Sequence, residues 1–494
     1  MRRLVRSTAI LGLGSAATLV AAILRAKILA AWLGPSGTGL LAQLAGFTAV
    51  LVPLATLGAG GGVSTMIAEA KGRGDLDRVR RVARTATTLC WRVGLGLAVV
   101  AAILSPWLAS GILRDRGYVW AILFGAATVP LSAVATLRIS MLQGLGAVKA
   151  MALLNALIAA IGIAAVIPMA WFFGVKGAVA QLVVLAAAYA LLSGRLMRPL
   201  FPHSVTAAAD ARPSREPAID RSLLGPLLRF GGSALLVGLS STLTLLVLRS
   251  ILVERLGLSQ NGIYQVCIGV SGMVMPLILN SITATVWPEI ATLGSDREAP
   301  GPMHGAIRLG FLLATGIAAA LITGAPVWVP LFYSHEFRPA LDLLPFQFLG
   351  DYFRTAAWMF GIWLVPRARL RPWVLFDLVY AVVLLGVFLL LVDRIGVRSV
   401  VLAYVAAHVS HAALHYFLAR RAIGFRLGKD NTLLLLASFA LLAGLTALRP
   451  KDLPGMLVAG VATAAWALLV IQRREWISLR DMALRALGRL RPIA

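Results

Sequence analysis

Ionisable side chains set inside long apolar stretches are where this sequence promises chemistry. Arg25, Lys27, Arg92, Arg138, Arg249 and Arg354 all fall in such stretches, Asp351 lies three residues before Arg354, and His408, His411 and His415 follow at helical spacing. A charge near the centre of a bilayer costs roughly 2.5 to 3.5 kcal/mol on insertion scales, so each of these groups needs a partner or a task. Cations outnumber well-centred carboxylates, which suits binding of an anion, because the forked donors of arginine match phosphate oxygens shielded from water.

Each group has two readings. Arg25 and Lys27 are two residues apart and point to different sides of a helix, so at most one faces directly into a central cavity, while Lys27 can instead snorkel to the near helix end. Arg249 lies one step from the repeat-equivalent of Arg25, so two cations of similar depth face an anion, or else Arg249 snorkels to the outer interface. Asp351 and Arg354, at i and i+3, form a helix-internal ion pair or a switch that opens and re-forms with other partners. Arg92 and Arg138 either draw an anionic substrate inward or reach lipid phosphates at the surface. Asp377 and Glu69 lie near helix ends and read as capping or pairing groups. The three histidines share one helical face, which either relays protons or hydrogen-bonds to a neighbouring helix. A metal site there lacks carboxylate or cysteine ligands. No metal or other cofactor is expected.

The elements that must hold these residues follow from composition. Of 494 residues 59% are hydrophobic and 13% charged, with mean hydropathy +0.86, against about 25% charged in a soluble domain. This is the signature of an all-α polytopic membrane protein. Its excess of 26 positive charges sits in short connectors, which argues for membrane orientation and against nucleic acid. Cys90 and Cys267 lie in spans without metal-ligand spacing and read as packing residues. The basic and apolar N-terminus reads as an uncleaved first span.

Apolar runs predict fourteen spans near residues 7–33, 38–62, 85–112, 119–143, 150–173, 176–197, 223–251, 261–288, 304–332, 341–365, 373–393, 396–420, 431–448 and 454–472. Connectors on the side of the N-terminus, with the span ends beside them, hold 31 of the 46 Lys and Arg and the opposite side 9, which places both termini in the cytoplasm. Sliding the chain by 223 positions lays Leu33–Gly39 on Leu256–Gly262 and aligns Gly46 with Gly269, Pro53 with Pro276 and Val63 with Val286. Residues 1–197 and 223–421 therefore read as two parallel six-span repeats, the N-lobe and the C-lobe. Between them runs a Pro- and charge-rich cytoplasmic linker, 198–222. Residues 431–472 supply two extra spans, and 473–494 read as a basic amphipathic tail on the lipid surface.

The segments LGPSGTGLLAQLAGF, GAGGGVSTMIAEA and GDLDRVRRVARTA, followed by FQFLGDYFRTAAWMFGIWLVPRARLRPWVLFD, resemble the Wzx-type translocases of O-antigen and enterobacterial common antigen. The likeness covers residues 1–421 in order. That family belongs to the multidrug/oligosaccharidyl-lipid/polysaccharide superfamily, with the MurJ lipid II flippases and the MATE drug exporters. The resemblance implies two six-helix bundles in a V around a cationic cavity. It also implies a multi-pass flippase of the bacterial inner membrane that is not an enzyme and carries an undecaprenyl-pyrophosphate-linked oligosaccharide to the periplasmic leaflet. Lys27, seven residues before Gly34, and Arg249 match basic positions of the family. Asp351 and Arg354 match its FQxxGD segment, whose pattern admits Lys for Arg. Arg25 and the histidine face match none, so their roles rest on the physical argument. Many Wzx proteins have twelve spans, whereas fourteen recur in the MurJ branch, where the extra pair helps form a groove for the lipid tail. Residues 431–472 do the same here or dock a protein of the polymer-export machinery.

Alternating access is the leading expectation, since a charged, hydroxyl-rich head group cannot cross hydrocarbon without losing its hydration. A MATE-type antiporter would want an acidic, aromatic cavity. A lipid II flippase, a scaffold or scramblase and a membrane glycosyltransferase are further alternatives, the last lacking a carboxylate pair or metal motif. No Walker A, HExxH or GxSxG sequence occurs. The lipid-linked glycan and the bilayer are the expected partners, nucleic acid is not, and a monomer is expected to suffice.

Overall fold

The computed structural model describes residues 2–200, 219–472 and 475. Most of the linker and, apart from Glu475, the tail 473–494 lie outside the described residues. The helices are α1 (Arg2–Ala55), α2 (Gly60–Gly72), α3 (Leu76–Ile103), the one-turn α4 (Ser105–Leu108), α5 (Val119–Gly144), α6 (Val148–Met197), α7 (Arg221–Ala291), α8 (Pro300–Phe332), α9 (Leu344–Gly361), α10 (Leu370–Ile395), α11 (Arg398–Ile423), α12 (Lys429–Leu448) and α13 (Leu453–Val470). No strand occurs among the described residues. Among the described residues ten helices are long and apolar enough to cross a membrane. Three of the ten, α1, α6 and α7, break at a glycine and count double. The 18-residue α9 is not among the ten; counted with them it brings the helical segments to the fourteen that hydropathy predicts.

At those breaks the chain reverses with almost no loop. Gly174 has φ 55° and Gly257 φ 85°, backbone that only glycine adopts without a steric cost. Across the first, Gln181 Nε2 donates to Gly162 O at 2.8 Å. In a straight helix these residues, 19 positions apart, would lie about 28 Å from each other. A residue at 174 with a Cβ would have to open the turn.

Three expected boundaries shift. Hydropathy carries the second span to residue 62, but the helix ends at Ala55, and Leu57 (φ 52°) and Gly58 (φ 64°) turn the chain before α2 begins. The third span starts earlier, at Leu76, because Asp75 caps α3 by accepting from Arg78 N at 2.8 Å. It stops earlier too, at Ile103, and continues through α4 and a wide turn over Ala109–Leu113.

The chain divides into two compact units. The first comprises Met1–Gln265 with Pro330–Arg338 and Val392–Val397. Its interior holds one cluster around Ile67, Val79, Val82, Val129, Leu137 and Met141 and another around Leu40, Leu44, Phe47, Ile122 and Val179. Buried alanines such as Ala83, Ala126 and Ala133 bring helix backbones close, as packing in lipid favours.

The second unit comprises Val266–Val329, Pro339–Leu391 and Arg398–Ala494. Here α12 is stitched to α9 by Tyr352 Oη donating to Leu435 O at 2.8 Å, and Trp466 Nε1 of α13 donates to Ser438 Oγ of α12 at 3.2 Å. Arg308 of α8 grips Glu475 through Nε at 2.5 Å and Nη2 at 2.8 Å, and Val470 O at 2.9 Å. The outer side of α13 leaves Val461, Leu468 and Leu469 exposed, as a lipid-facing surface requires.

Candidate functional site

In the first unit the buried cations meet amides and carbonyls. Arg249 is 3% exposed; its Nη2 donates to Gln265 Oε1 at 2.5 Å and its Nη1 to Asn261 Oδ1 at 3.4 Å, with the guanidinium 5.7 Å from the centre of the Tyr264 ring. These partners come from the second arm of the α7 hairpin, and Gln265 and Arg249 stand at equal distances from the turning Gly257. The shell continues through Asn261 Nδ2, which donates to Gly39 O at 2.8 Å, and Gln43 Nε2, which donates to Ser250 Oγ at 2.9 Å. Arg249 is thus deep in protein and does not snorkel.

Lys27 and Arg25 part company as their spacing predicts. The Lys27 ammonium donates to Tyr333 O at 2.7 Å and Pro330 O at 3.2 Å, capping the carbonyl end of α8, where the helix dipole favours a cation. Arg25 is half-buried, and its Nε has no hydrogen-bond partner. Arg138, also half-buried, ties α5 to α6 by donating to Ala190 O at 2.5 Å, in space left free by Gly194. Arg92 is exposed on α3. Among the described residues none of these five cations forms an ion pair with a carboxylate, so their charges stand uncompensated by protein.

In the second unit the arrangement is acidic and aromatic. Asp351 is 1% exposed and accepts from Tyr404 Oη at 2.8 Å and Ser271 Oγ at 2.9 Å. Its i+3 partner Arg354 is farther off, with Nη1 at 3.9 Å. That distance gives a charge contact and falls short of a hydrogen bond. Tyr404 begins a stripe along α11 that continues through His408, His411 and His415. Successive rings stand 4.4 Å (Tyr404 to His408), 6.2 Å and 4.5 Å apart. Facing them on α10 are Tyr380, 4.7 Å from His408, and Phe376, 4.9 Å from His415, while His411 Nε2 faces Asp377 Oδ1 at 3.5 Å. Asp377 is therefore a pairing group. Among the described residues no cluster of ligands could hold a metal.

The stripe has a seat. Two glycines of α9, Gly350 and Gly361, lie where any Cβ would strike the rings of Tyr404 and His415. Both pairs are offset by 54 positions, so α9 and α11 run parallel in register with the glycines under the rings. Sequence reading marks the histidines but misses Tyr404, Ser271, Asn261 and Gln265. The signal that could have found Gln265 is its mirror position to Arg249 across Gly257; nothing local marks the others.

The family description "Polysaccharide biosynthesis protein" matches residues 28–342. Over 411 residues the chain is 24% identical to the "Lipid III flippase" of Escherichia coli (strain K12), covering 81% of this chain and 95% of that one, and equally to the protein of the same name from Shigella flexneri. Its fold is similar to "Lipid II flippase MurJ, inward closed conformation", with TM-score 0.70 and 12% identity over 96% of this chain and 99% of the other. It is also similar to an inward-facing MATE family transporter of the MOP superfamily, with TM-score 0.67 and 17% identity over 82% and 94%. With a family match over more than half its length, this multi-pass membrane chain belongs to the polysaccharide biosynthesis protein family.

Proposed function

We propose that the chain is a flippase for a lipid-linked glycan: an undecaprenyl-pyrophosphate-linked oligosaccharide of the O-antigen or exopolysaccharide kind, carried from the cytoplasmic to the periplasmic leaflet of the bacterial inner membrane. The observation that carries the reading is the set of cations in the first unit that, among the described residues, have no carboxylate partner. Buried guanidinium groups met only by neutral groups there are matched by the oxygens of a pyrophosphate. The Nε atoms of Arg25 and Arg249 are both buried without an acceptor, and an unsatisfied buried donor costs about 1 to 3 kcal/mol that a phosphate oxygen would recover. Arg25 and Arg249 are assigned to the head group. Arg138 and Arg92 draw it in from the cytoplasmic side, and Lys27 holds the frame. The repeats 1–197 and 223–421 act as the two lobes of an alternating-access cycle, both termini stay in the cytoplasm, and residues 431–472 flank the route of the polyprenyl tail. The Lipid III flippase relatives support the substrate class.

The test is head-group accessibility of a fluorescently tagged undecaprenyl-pyrophosphate-linked oligosaccharide in proteoliposomes, scored by chemical quenching of the exposed leaflet. The wild type moves the probe between leaflets and Arg249→Ala does not, at equal reconstitution. Equal movement by both would remove the head-group assignment, and competition by organic cations would turn the reading towards drug export.

A further inference from the structure

Cations are scarce on the side of the membrane opposite the termini, where the connectors hold only 9 of the 46 Lys and Arg. Three of those nine, Arg398, Arg449 and Lys451, gather at one corner of the second unit, at the end of α13 away from Glu475. The link into α9, the turn into α11 and the turn into α13 meet there. Lys451 Nζ lies 2.7 Å from Asp342 Oδ1, and Arg398 Nη2 lies 3.8 Å from Asp342 Oδ2, too far for a hydrogen bond. Arg449 closes α12 with its guanidinium 5.5 Å from the centre of the Phe346 ring, in the first turn of α9, and Thr446 Oγ1 of α12 donates to Pro345 O at 3.3 Å. One carboxylate thus serves two cations, and Arg449 has none among the described residues. Asp452, the other acid of the corner, is taken up by capping α13, where it accepts from Gly455 N at 2.9 Å. Arg398 opens α11, where the helix dipole disfavours a cation, so the stability of its helix does not account for it. Arg449 sits at φ 46°, a backbone that glycine would adopt at less cost.

Below the corner the surface is apolar. Leu453, Leu457 and Val461 recur every fourth residue along one face of α13, starting two positions after Lys451, and are 68%, 62% and 71% exposed. That stripe is about 12 Å long. Cations above an exposed apolar stripe have the outline of a phospholipid, a charged phosphate with an acyl chain beneath it. We infer that Arg398, Arg449 and Lys451 bind the phosphate of an anionic phospholipid whose acyl chain lies along Leu453, Leu457 and Val461. The basic groups donate to the phosphate oxygens, for which the arginine forks are well shaped. A zwitterionic lipid is disfavoured, because its ammonium would be brought up to three cations. Free phosphate lacks the chain that the stripe would carry. The lipid is a resident of the bilayer, and it fastens the hairpin of α12 and α13 to the leaflet opposite the termini. The site uses none of the cations assigned to the glycan head group, and it does not depend on what the chain transports.

The full chain in detergent is titrated with phosphatidylglycerol or with phosphatidylcholine, and bound lipid is counted by native mass spectrometry, a readout that needs no transport. Wild type is expected to retain phosphatidylglycerol in preference to phosphatidylcholine. A basic residue beside a lipid phosphate is worth about fivefold in affinity, so Arg449→Gln combined with Lys451→Gln should weaken retention about twenty-five-fold. Asp342→Asn acts the other way. It frees Lys451 and Arg398 from their carboxylate and should tighten retention about fivefold, a gain that misfolding cannot imitate. Arg116→Gln, which removes an exposed cation of the same side, should change nothing. The inference is overturned if the two lipids bind alike, if the double variant retains phosphatidylglycerol as wild type does, or if Arg116→Gln loses as much as the double variant. Displacement of the bound lipid at equal concentration by inorganic phosphate, or by undecaprenyl pyrophosphate, would also overturn it, in favour of a free anion or of the carried lipid.

Discussion

Gly39 and Gly262, equivalent positions of the two repeats, pack against each other's turns reciprocally. A Cβ at Gly39 would strike the carbonyl of Leu258, and one at Gly262 would strike the carbonyl of Pro35; Pro35 and Leu258 are themselves one repeat of 223 residues apart. A local two-fold relation thus survives in the first unit at a close backbone contact.

Replacing Gly262 with alanine is therefore expected to force backbone apart and cost about 1 to 3 kcal/mol, as overpacking does. Gly96, also within a helix but with nothing within 4 Å of its would-be Cβ, should accept alanine with no loss or a gain of up to about 1 kcal/mol. Thermal unfolding of the two variants in detergent checks the contrast, and equal melting temperatures would refute it.

Arg249→Met should cost both stability and function. It leaves the Gln265 and Asn261 side-chain oxygens without the donor they have now, a loss of about 1 to 3 kcal/mol. Melting temperature is expected to fall accordingly while binding of the lipid-linked probe by the folded variant falls by tenfold or more, about 1.4 kcal/mol. A variant that binds normally would show that Arg249 serves packing alone.

Lys27→Met should spare function more. It takes the cation from the carbonyl end of α8 and should lower stability by about 1 kcal/mol, with less effect on probe affinity than Arg249→Met. Denaturation and binding measured on one preparation order the two variants.

The clasp between Arg308 and Glu475 should couple α13 to α8. A double-mutant cycle with Arg308→Ala and Glu475→Ala is expected to give an interaction of about 1.5 to 3 kcal/mol, typical of partly buried, charged hydrogen bonds. Additive losses would mean that the clasp is ornamental.

Asp220, ahead of α7 and outside the spans, supplies a pH dependence. The Ser222 hydroxyl and backbone N–H hold its carboxyl below the usual range, with help from Arg81. Because the folded state holds the carboxylate more tightly than the unfolded chain does, its stabilisation is present above about pH 4 and is lost as pH falls through the depressed value. Asp220→Asn should flatten the acid side of a plot of melting temperature against pH, and an unchanged slope would contradict the assignment.

Much of the fold is written in the sequence because lipid imposes a single rule, long apolar helices with paired backbones. Crossings, repeats and the buried charges all follow from it. The partners of those charges do not, since they arrive from afar. Lys27 meets carbonyls 303 and 306 positions away, and Asp351 meets Ser271 at 80 and Tyr404 at 53. Where the distance along the chain is short, as between Arg249 and Gln265, only the sharpness of the Gly257 turn reveals the contact. Hydropathy misplaces the end of the second span for a related reason. Residues 56–62 are apolar enough to extend a helix, yet the positive φ at Leu57 and Gly58 that ends it is decided by packing.

The one-glycine reversals at Gly34, Gly174 and Gly257 limit the kinds of motion open to the chain. Two arms joined by a single residue can open and close like a compass, but neither can slip past the other by a helical turn of about 5.4 Å, because no slack exists to lengthen the joint. An elevator-like stroke is thus barred within these three hairpins, whose arms can move against each other only by rotation.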